Sequence, residues 1–210
     1  MPSIEQASQW YDQHDPVHGF DHVLRVYAMA ERLAVAEGAD LEVVRAAALL
    51  HDAVGAEPEN HQRSNHHYAS ADFARQILGA EGWPEARIAA VEHCIRAHRY
   101  RSTEAPQTLE AEVLFDADKL DVLGAFGAAR TIAYAVQAGQ PIYAPPSEVF
   151  LQSGVVQAGE PHSSYHEYLF KLRNVKDRLH TATARQYADG RHQFLQAFYE
   201  QLVAEQQGLR

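Results

Sequence analysis

The most constraining feature of this 210-residue sequence is an apolar segment that ends in a histidine and an aspartate. In residues 41–54 only Glu42 and Arg45 are charged before the pair His51-Asp52. A helix that is apolar around most of its circumference lies buried at the centre of a fold. A buried imidazole and a buried carboxylate cost free energy unless another group satisfies them. The segment therefore predicts a central helix from Leu41 to Val54 that carries, near its end, two potential ligands for a divalent metal ion.

The same pair also has a purely structural interpretation. His51 would then cap the carboxyl end of its helix and Asp52 would begin the next turn, because polar residues are common at helix ends. Two further segments favour a metal. His22 lies near the start of another predicted helix, at the edge of its apolar arc, and three aspartates lie in residues 116–121 among apolar neighbours. Carboxylates this close repel one another unless a cation is present.

Helical periodicity extends over nearly the whole chain. Apolar residues repeat at helical spacing from Phe20 to a stop at Gly38, and Asp40 is a suitable N-cap for the next helix. Further helices are predicted at about 68–78, 84–98, 109–123 and 128–138. Two apolar stripes, one that begins at Ser163 and one that includes Phe194, predict two C-terminal helices within about 163–207. Residues 55–64 and 139–159 are rich in glycine, proline and polar residues and are predicted as loops. Because no strand alternation and no linker occurs, we predict one all-α domain over residues 1–210.

Composition limits the class of partner. The formal net charge of −10 argues against a nucleic-acid polymer or an anionic membrane surface, since both require clustered lysine and arginine. A small phosphorylated substrate is compatible, because a metal ion and a few basic groups override the global field locally. Cys94 is the only cysteine, so no disulfide forms within the chain. Without a signal-peptide pattern or a run of about 18 apolar residues, we expect a cytoplasmic protein with no membrane span.

The order His…His-Asp…Asp in a helical chain resembles the HD-domain superfamily of metal-dependent phosphohydrolases. Residues 19–26 resemble the first ligand helix, residues 49–54 carry the His-Asp pair, and residues 116–127 resemble the last ligand helix. The last segment is the most specific and is similar to small stand-alone bacterial HD proteins, whose relatives include nucleotide phosphohydrolases and pyrophosphohydrolases. The resemblance implies a single-domain HD-type helical bundle with a metal-binding core at about residues 18–125.

The resemblance also implies which residues bind the metal. By position, the ligands are His22, His51, Asp52 and Asp118. Asp118 matches the family ligand that precedes a basic residue and a leucine, although Lys119 stands where the family often has arginine. The sequence leaves open whether Asp116 and Asp121 are solvated, as acidic residues usually are. The metal would be a divalent ion such as Mn, Mg, Fe, Ni or Co.

The implied chemistry is attack of a metal-activated water on a nucleotide or a related phosphoester or phosphoanhydride. Asp52 would bind the metal with one oxygen and orient the water with the other, and Lys119 would contact phosphate. Arg63, and more weakly Arg25, are further candidates for phosphate contact, and His98 is expected near the substrate. For the basic residues the competing interpretation is an ion pair at the surface, because long basic side chains usually face solvent.

Two other functions remain open. HD-type scaffolds that hold two irons act as oxygenases, and such a site would need two further histidines, for which His93 and His98 are the candidates. A regulatory module that binds metal without turnover is the other alternative. We favour a one-metal site. We expect His61, His66 and His67 to be exposed or at the rim of the pocket, where His66 or His67 could reach substrate. The protein would be a monomer or a homodimer.

Overall fold

The computed structural model describes residues 1–11, 19–54, 65–100 and 104–210. These residues form α-helices and short 3₁₀ turns with no strand among them, which confirms the predicted all-α fold. The helices are α1 (Ile4–Ser8), α2 (Phe20–Glu37), α3 (Leu41–Leu50), α4 (His66–Ala80), α5 (Glu85–Ala97), α6 (Leu109–Asp121), α7 (Gly124–Gln137), α8 (Glu148–Ser153), α9 (Ser164–Phe170) and α10 (Ala182–Gln206). Within the described ranges, no helix is both long and apolar enough to cross a membrane.

The chain forms two compact units. The first comprises residues 1–121 and 179–185, and the second comprises residues 122–178 and 186–210. All the residues that the sequence singles out for metal binding lie in the first unit. The boundaries proposed from sequence, a core at about 18–125 and C-terminal helices at about 163–207, stay predictions.

Helix α3 is the central helix of the first unit. It begins at the predicted N-cap, Asp40, whose side chain accepts hydrogen bonds from the backbone N–H groups of Glu42 and Val43. Seven of its residues are buried, namely Val43, Val44, Ala46, Ala47, Ala48, Leu49 and Leu50. It packs against α1, α2, α4, α5 and α6, as expected for a helix that is apolar on all sides. The helix ends at Leu50, earlier than the predicted Val54, so His51 and Asp52 stand just beyond its last turn.

Helices α2 and α6 bring the other predicted ligands to the same place. The buried face of α2 carries His22 one turn before Val26, and the helix ends at Gly38 with φ of +81°, a conformation that glycine adopts without strain. In α6 every residue from Val113 to Asp121 is buried, because this helix packs against α2, α3 and α5. The acidic residues of α6 therefore lie inside the unit.

The second unit departs from the prediction in two places. The predicted loop at 139–159 contains the six-residue helix α8, which begins after the N-cap Ser147 and ends at Gly154 with φ of +72°. The apolar stripe that begins at Ser163 was expected to form one helix. Instead α9 ends at Phe170, and two 3₁₀ turns, Leu172–Asn174 and Lys176–Arg178, follow it. An α-helix and a series of 3₁₀ turns both bury every third or fourth residue. The spacing of the apolar residues therefore does not distinguish one continuous helix from the short helix and 3₁₀ turns that form here.

Candidate metal centre

Six side chains of the first unit converge and are here called the candidate centre. They are His22 in α2, His51 and Asp52 after α3, His66 at the start of α4, His98 after α5 and Asp118 in α6. They form two groups, and within each group one ligand atom per residue lies within 4.8 Å of the others. The first ligand group is His22, His51 and Asp118, and the second ligand group is Asp52, His66 and His98.

The four ligands predicted from sequence lie together. His22 Nε2 is 3.5 Å from Asp118 Oδ1 and 4.0 Å from Asp52 Oδ2, and His51 Nε2 is 3.6 Å from the same Asp52 oxygen. None of the four side chains is more than about a tenth exposed. Two imidazoles and two carboxylates therefore face one small buried volume.

The second ligand group lies on the other side of the Asp52 carboxylate. Asp52 Oδ1 is 3.2 Å from His66 Nε2 and 3.4 Å from His98 Nε2. Asp52 thus presents one oxygen to each ligand group. His98 was predicted near the substrate, whereas His66 was expected at the rim of the pocket. The sequence signal for His66 was weak, because its position depends on where α4 starts after the segment 55–64.

The ring nitrogens of the histidines are arranged so that Nε2 faces inward. His51 Nδ1 lies 2.8 Å from the backbone oxygen of Ala48, and His98 Nδ1 lies 2.6 Å from that of Ile95. A carbonyl oxygen only accepts hydrogen bonds, so Nδ1 carries a proton in each ring, and in the neutral imidazole Nε2 then keeps its lone pair. This is the tautomer that histidine ligands of metal ions adopt.

The residues fit a divalent metal ion on grounds that are independent of sequence. His51 Nε2 is buried and has no hydrogen-bond partner among the described residues. Such atoms cost free energy unless a ligand satisfies them. A set of imidazole nitrogens and carboxylate oxygens suits Mn, Fe, Co or Ni, and also Zn or Mg to differing degrees.

Electrostatics keep the carboxylates charged and an imidazole neutral. Burial alone would raise the pKa of Asp52, but the neighbouring His51 and His66 outweigh it and hold this pKa well below its usual range. Burial alone would likewise raise the pKa of Asp118. The nearby positive charges outweigh burial and lower this pKa, and the charge of Lys119 has the largest effect among them. Burial lowers the pKa of His98 in spite of Asp52, so its imidazole is neutral near pH 7. Anionic oxygens and neutral nitrogens are the protonation states that bind metal.

The predicted phosphate contacts have different surroundings. The Lys119 side chain is buried, its Nζ pairs with Asp118 Oδ2, and it lies 5.3 Å from the centre of the Phe115 ring. The guanidinium of Arg25 donates to two aspartates, at 2.8 Å and 2.6 Å, so its charge is already balanced. Arg63 and His61 lie outside the described residues.

His93 does not belong to the candidate centre. Its Nδ1 lies 2.9 Å from Glu104 Oε1, and its Nε2 accepts a hydrogen bond from the backbone N–H of Gln107 at 3.0 Å. Both ring nitrogens are therefore used, so of the two histidines named for the two-iron alternative only His98 lies at the candidate centre. The reason is that positions 93 and 98 do not share a helix face.

His67 was predicted to be exposed or at the rim of the pocket, but its side chain is buried. Burial is the largest of the causes that lower its pKa to about 4.

The solvated interpretation of the neighbouring aspartates is wrong. Asp121 is buried, and Asp116 is completely buried. Asp116 accepts hydrogen bonds from the backbone N–H groups of His180 and Thr181, at 2.9 Å and 2.7 Å, and from the Thr181 hydroxyl at 2.7 Å. Asp116 therefore holds the backbone at His180 and Thr181 in place. Asp118 is the carboxylate of α6 that belongs to the ligand groups.

Asp116→Ala is expected to lower the free energy of unfolding by about 3 kcal/mol, because three donors, two of them buried, lose their acceptor. Urea denaturation of the variant measures the loss. Glu110→Ala, a change of one carboxylate at the start of the same helix, is the comparison and should cost less. A loss for Asp116→Ala no larger than that of Glu110→Ala would contradict the structural role.

The HD domain model matches residues 19–123, which is half of the chain and includes all six side chains of the candidate centre. The chain belongs to the HD-domain family. Among its relatives, the Bacillus subtilis protein YpgQ is 30% identical over 196 residues, which cover 91% of this chain and 86% of YpgQ.

Solved structures of HD proteins resemble this one over almost its full length. The crystal structure of Bacillus subtilis YpgQ in complex with ADP matches with a TM-score of 0.75 and 27% identity, covering 99% of this chain and 100% of that one. An HD-superfamily hydrolase from Bacillus thuringiensis matches with a TM-score of 0.66 and 29% identity, covering 97% of this chain and 96% of that one. These relatives support a hydrolase of the small stand-alone HD type.

Proposed function

We propose that this HD protein is a metal-dependent phosphohydrolase that acts on a nucleotide or a related phosphoester or phosphoanhydride. The observation that carries the proposal is the convergence of the first ligand group on Asp52, with inward lone pairs and charged carboxylates. His22, His51, Asp52 and Asp118 would hold the ion. A divalent ion bound there would act as a Lewis acid toward a phosphoryl oxygen and would lower the pKa of a water molecule.

The protein's own residues supply the remaining parts of a hydrolysis. Asp52 Oδ1, which faces His66 and His98, is placed to accept a hydrogen bond from the attacking water and to orient it. The ammonium group of Lys119 is buried beside Asp118, so it would contact a phosphoryl oxygen at the same place and balance its growing charge. Burial of these groups strengthens each interaction, because the local dielectric constant is low.

A nucleotide is the proposed substrate class for two reasons. YpgQ, whose structure resembles this chain over its full length, was crystallised with ADP. The net charge of −10 disfavours a long polyanion but not a small phosphorylated molecule at a metal centre. Arg63, His98 and Arg25 stay proposed substrate contacts, of which Arg25 is the weakest because two aspartates already bind it.

A nucleotide screen tests the proposal. Wild-type protein should release phosphate or pyrophosphate from at least one ribo- or deoxyribonucleotide in the presence of Mn, Mg, Co or Ni, and Asp118→Ala should abolish the reaction. His93→Gln, which changes a histidine outside the candidate centre, should keep the activity. Absence of turnover on every nucleotide, or an Asp118→Ala variant as active as wild type, would refute the proposal.

The second ligand group favours one alternative, an oxygenase with two irons. Such an enzyme needs histidines beyond the first ligand group, and His66 and His98 face the shared Asp52. Two irons per purified chain together with oxygen consumption would support it. A regulatory module is the remaining alternative, and tight metal binding without turnover of any substrate would support that.

A further inference from the structure

A buried aspartate at the end of α6 contacts the first histidine of the candidate centre on its outer side. Asp121 is 4% exposed, and its Oδ2 lies 2.8 Å from His22 Nδ1. The opposite ring nitrogen, His22 Nε2, faces Asp118 and Asp52. Asp121 is therefore placed to accept a hydrogen bond from Nδ1–H while Nε2 remains available to a metal.

Arg25 fixes the orientation of the Asp121 carboxylate. Its Nε donates to Asp121 Oδ1 at 2.8 Å, and its Nη2 donates to Oδ2 at 3.2 Å. Its Nη1 also donates to Asp21 at 2.6 Å. A guanidinium that donates through two nitrogens to one carboxylate defines the plane of that carboxylate. The acceptor oxygen is thereby held where His22 Nδ1 meets it.

The spacing of these residues explains how they meet. His22 and Arg25 are three residues apart in α2, and Asp118 and Asp121 are three residues apart in α6. Residues three apart lie on one face of a helix, and α2 packs against α6. His22 and Asp118 face each other across the two helices. One turn later on the same faces, Arg25 and Asp121 also meet.

The position of His22 in its helix explains why it needs a side-chain partner. His51 and His98 follow the last turns of α3 and α5, where backbone oxygens lack helical partners and accept from Nδ1. His22 lies in the first turn of α2, and the backbone oxygen three residues before it, that of Gly19, accepts the His22 backbone N–H instead. The carboxylate of Asp121 in α6 therefore contacts Nδ1 of His22, as a backbone oxygen contacts Nδ1 of His51 and of His98.

We propose that Asp121, held by Arg25, is a positioning residue that keeps the proton of His22 on Nδ1 and directs its Nε2 at the metal ion. This inference rests on metal binding in the proposed function. It gives Arg25 a role through Asp121 that does not depend on contact with substrate. Residues that hold a ligand histidine in this way typically contribute about 10- to 100-fold to metal affinity.

Asp121→Asn tests the inference because it keeps the shape of the side chain and removes its charge and one acceptor. Calorimetric titration with Mn²⁺ should show a Kd about 10- to 100-fold weaker than that of wild type. Two-bond ¹H–¹⁵N correlation spectra of the metal-free protein should show His22 as the Nδ1–H tautomer in wild type and as a mixture in the variant. The second measurement depends on neither metal nor substrate.

Asp116→Asn is the matched control. Asp116 is equally buried in α6, but it binds His180 and Thr181 instead of a histidine ring. The control should lower stability and leave the Mn²⁺ affinity of the folded protein unchanged. An equal loss of affinity in both variants, or wild-type affinity and tautomer in Asp121→Asn, would overturn the inference.

If Asp121→Asn does not fold, Arg25→Gln tests whether the Asp121–His22 contact supports metal binding. It changes a partly exposed side chain, leaves Asp121 in place and should weaken Mn²⁺ binding less than Asp121→Asn does. Unchanged Mn²⁺ affinity in Arg25→Gln would then overturn the inference. Wild-type protein that binds Mn²⁺ but hydrolyses no nucleotide would refute the proposed function alone, because the comparison of affinities would still stand.

Discussion

Asp52→Asn is expected to slow metal-dependent hydrolysis by about 1,000-fold or more. Among the described residues of the candidate centre, Asp52 is the one that presents an oxygen to each ligand group, to His51 on one side and to His66 on the other. Asparagine keeps the shape but loses the charge, and its amide nitrogen cannot bind a cation. Metal-assisted catalysis supplies several kcal/mol of transition-state stabilisation, and about 1.4 kcal/mol corresponds to a tenfold rate.

Steady-state rates on the nucleotide that wild type hydrolyses best, together with elemental analysis of bound metal, measure this effect. Asp72→Asn makes the same chemical change on the exposed side of α4 and should leave both quantities at the wild-type level. If Asp52→Asn retained the wild-type rate and metal content, Asp52 would have no part in binding or catalysis.

Metal binding is expected to produce the second large effect, a rise in stability. His51 Nε2 is buried and has no hydrogen-bond partner among the described residues, and a bound ion would satisfy it. An ion present at about 1,000 times its Kd raises the free energy of unfolding by about 4 kcal/mol. For a protein of this size the melting temperature should rise by about 10 °C.

Thermal unfolding followed by circular dichroism, with Mn²⁺ or with EDTA, measures the shift. Asp118→Ala removes one carboxylate of the first ligand group and should lose most of it. A wild-type melting temperature that is the same in Mn²⁺ and in EDTA would mean that the histidines and aspartates of the candidate centre are not a metal site.

The local properties of the chain were readable from the sequence. The start of α3 at Asp40 and the end of α2 at Gly38 follow from short-range chemistry, because a side-chain acceptor caps the first turn and glycine adopts a positive φ. The burial of α3 follows from its apolar composition on all sides. The family followed as well, because the ligand types occur in order in segments with matching neighbours.

Contacts between distant residues were not readable in the same way. Asp116 and Asp121 have the same side chain, and both lie between apolar residues in the sequence. Asp116 nevertheless binds the backbone of Thr181, whereas Asp121 contacts the ring of His22. Their partners lie 65 and 99 residues away along the chain, so no local pattern distinguishes them. The same holds for His66, because its contact with Asp52 depends on how α4 packs against α3.

The sequence by itself determined an all-α HD protein with a central apolar helix that ends in His51-Asp52, and it indicated His22 and Asp118 as the partners of that pair. Only the tertiary structure decided that Asp52 faces two ligand groups, that His66 rather than His93 accompanies His98, and that Asp121 contacts the outer side of His22. The physical reason is that helix formation depends on neighbours within one or two turns. Which side chains then meet is fixed by how the helices pack.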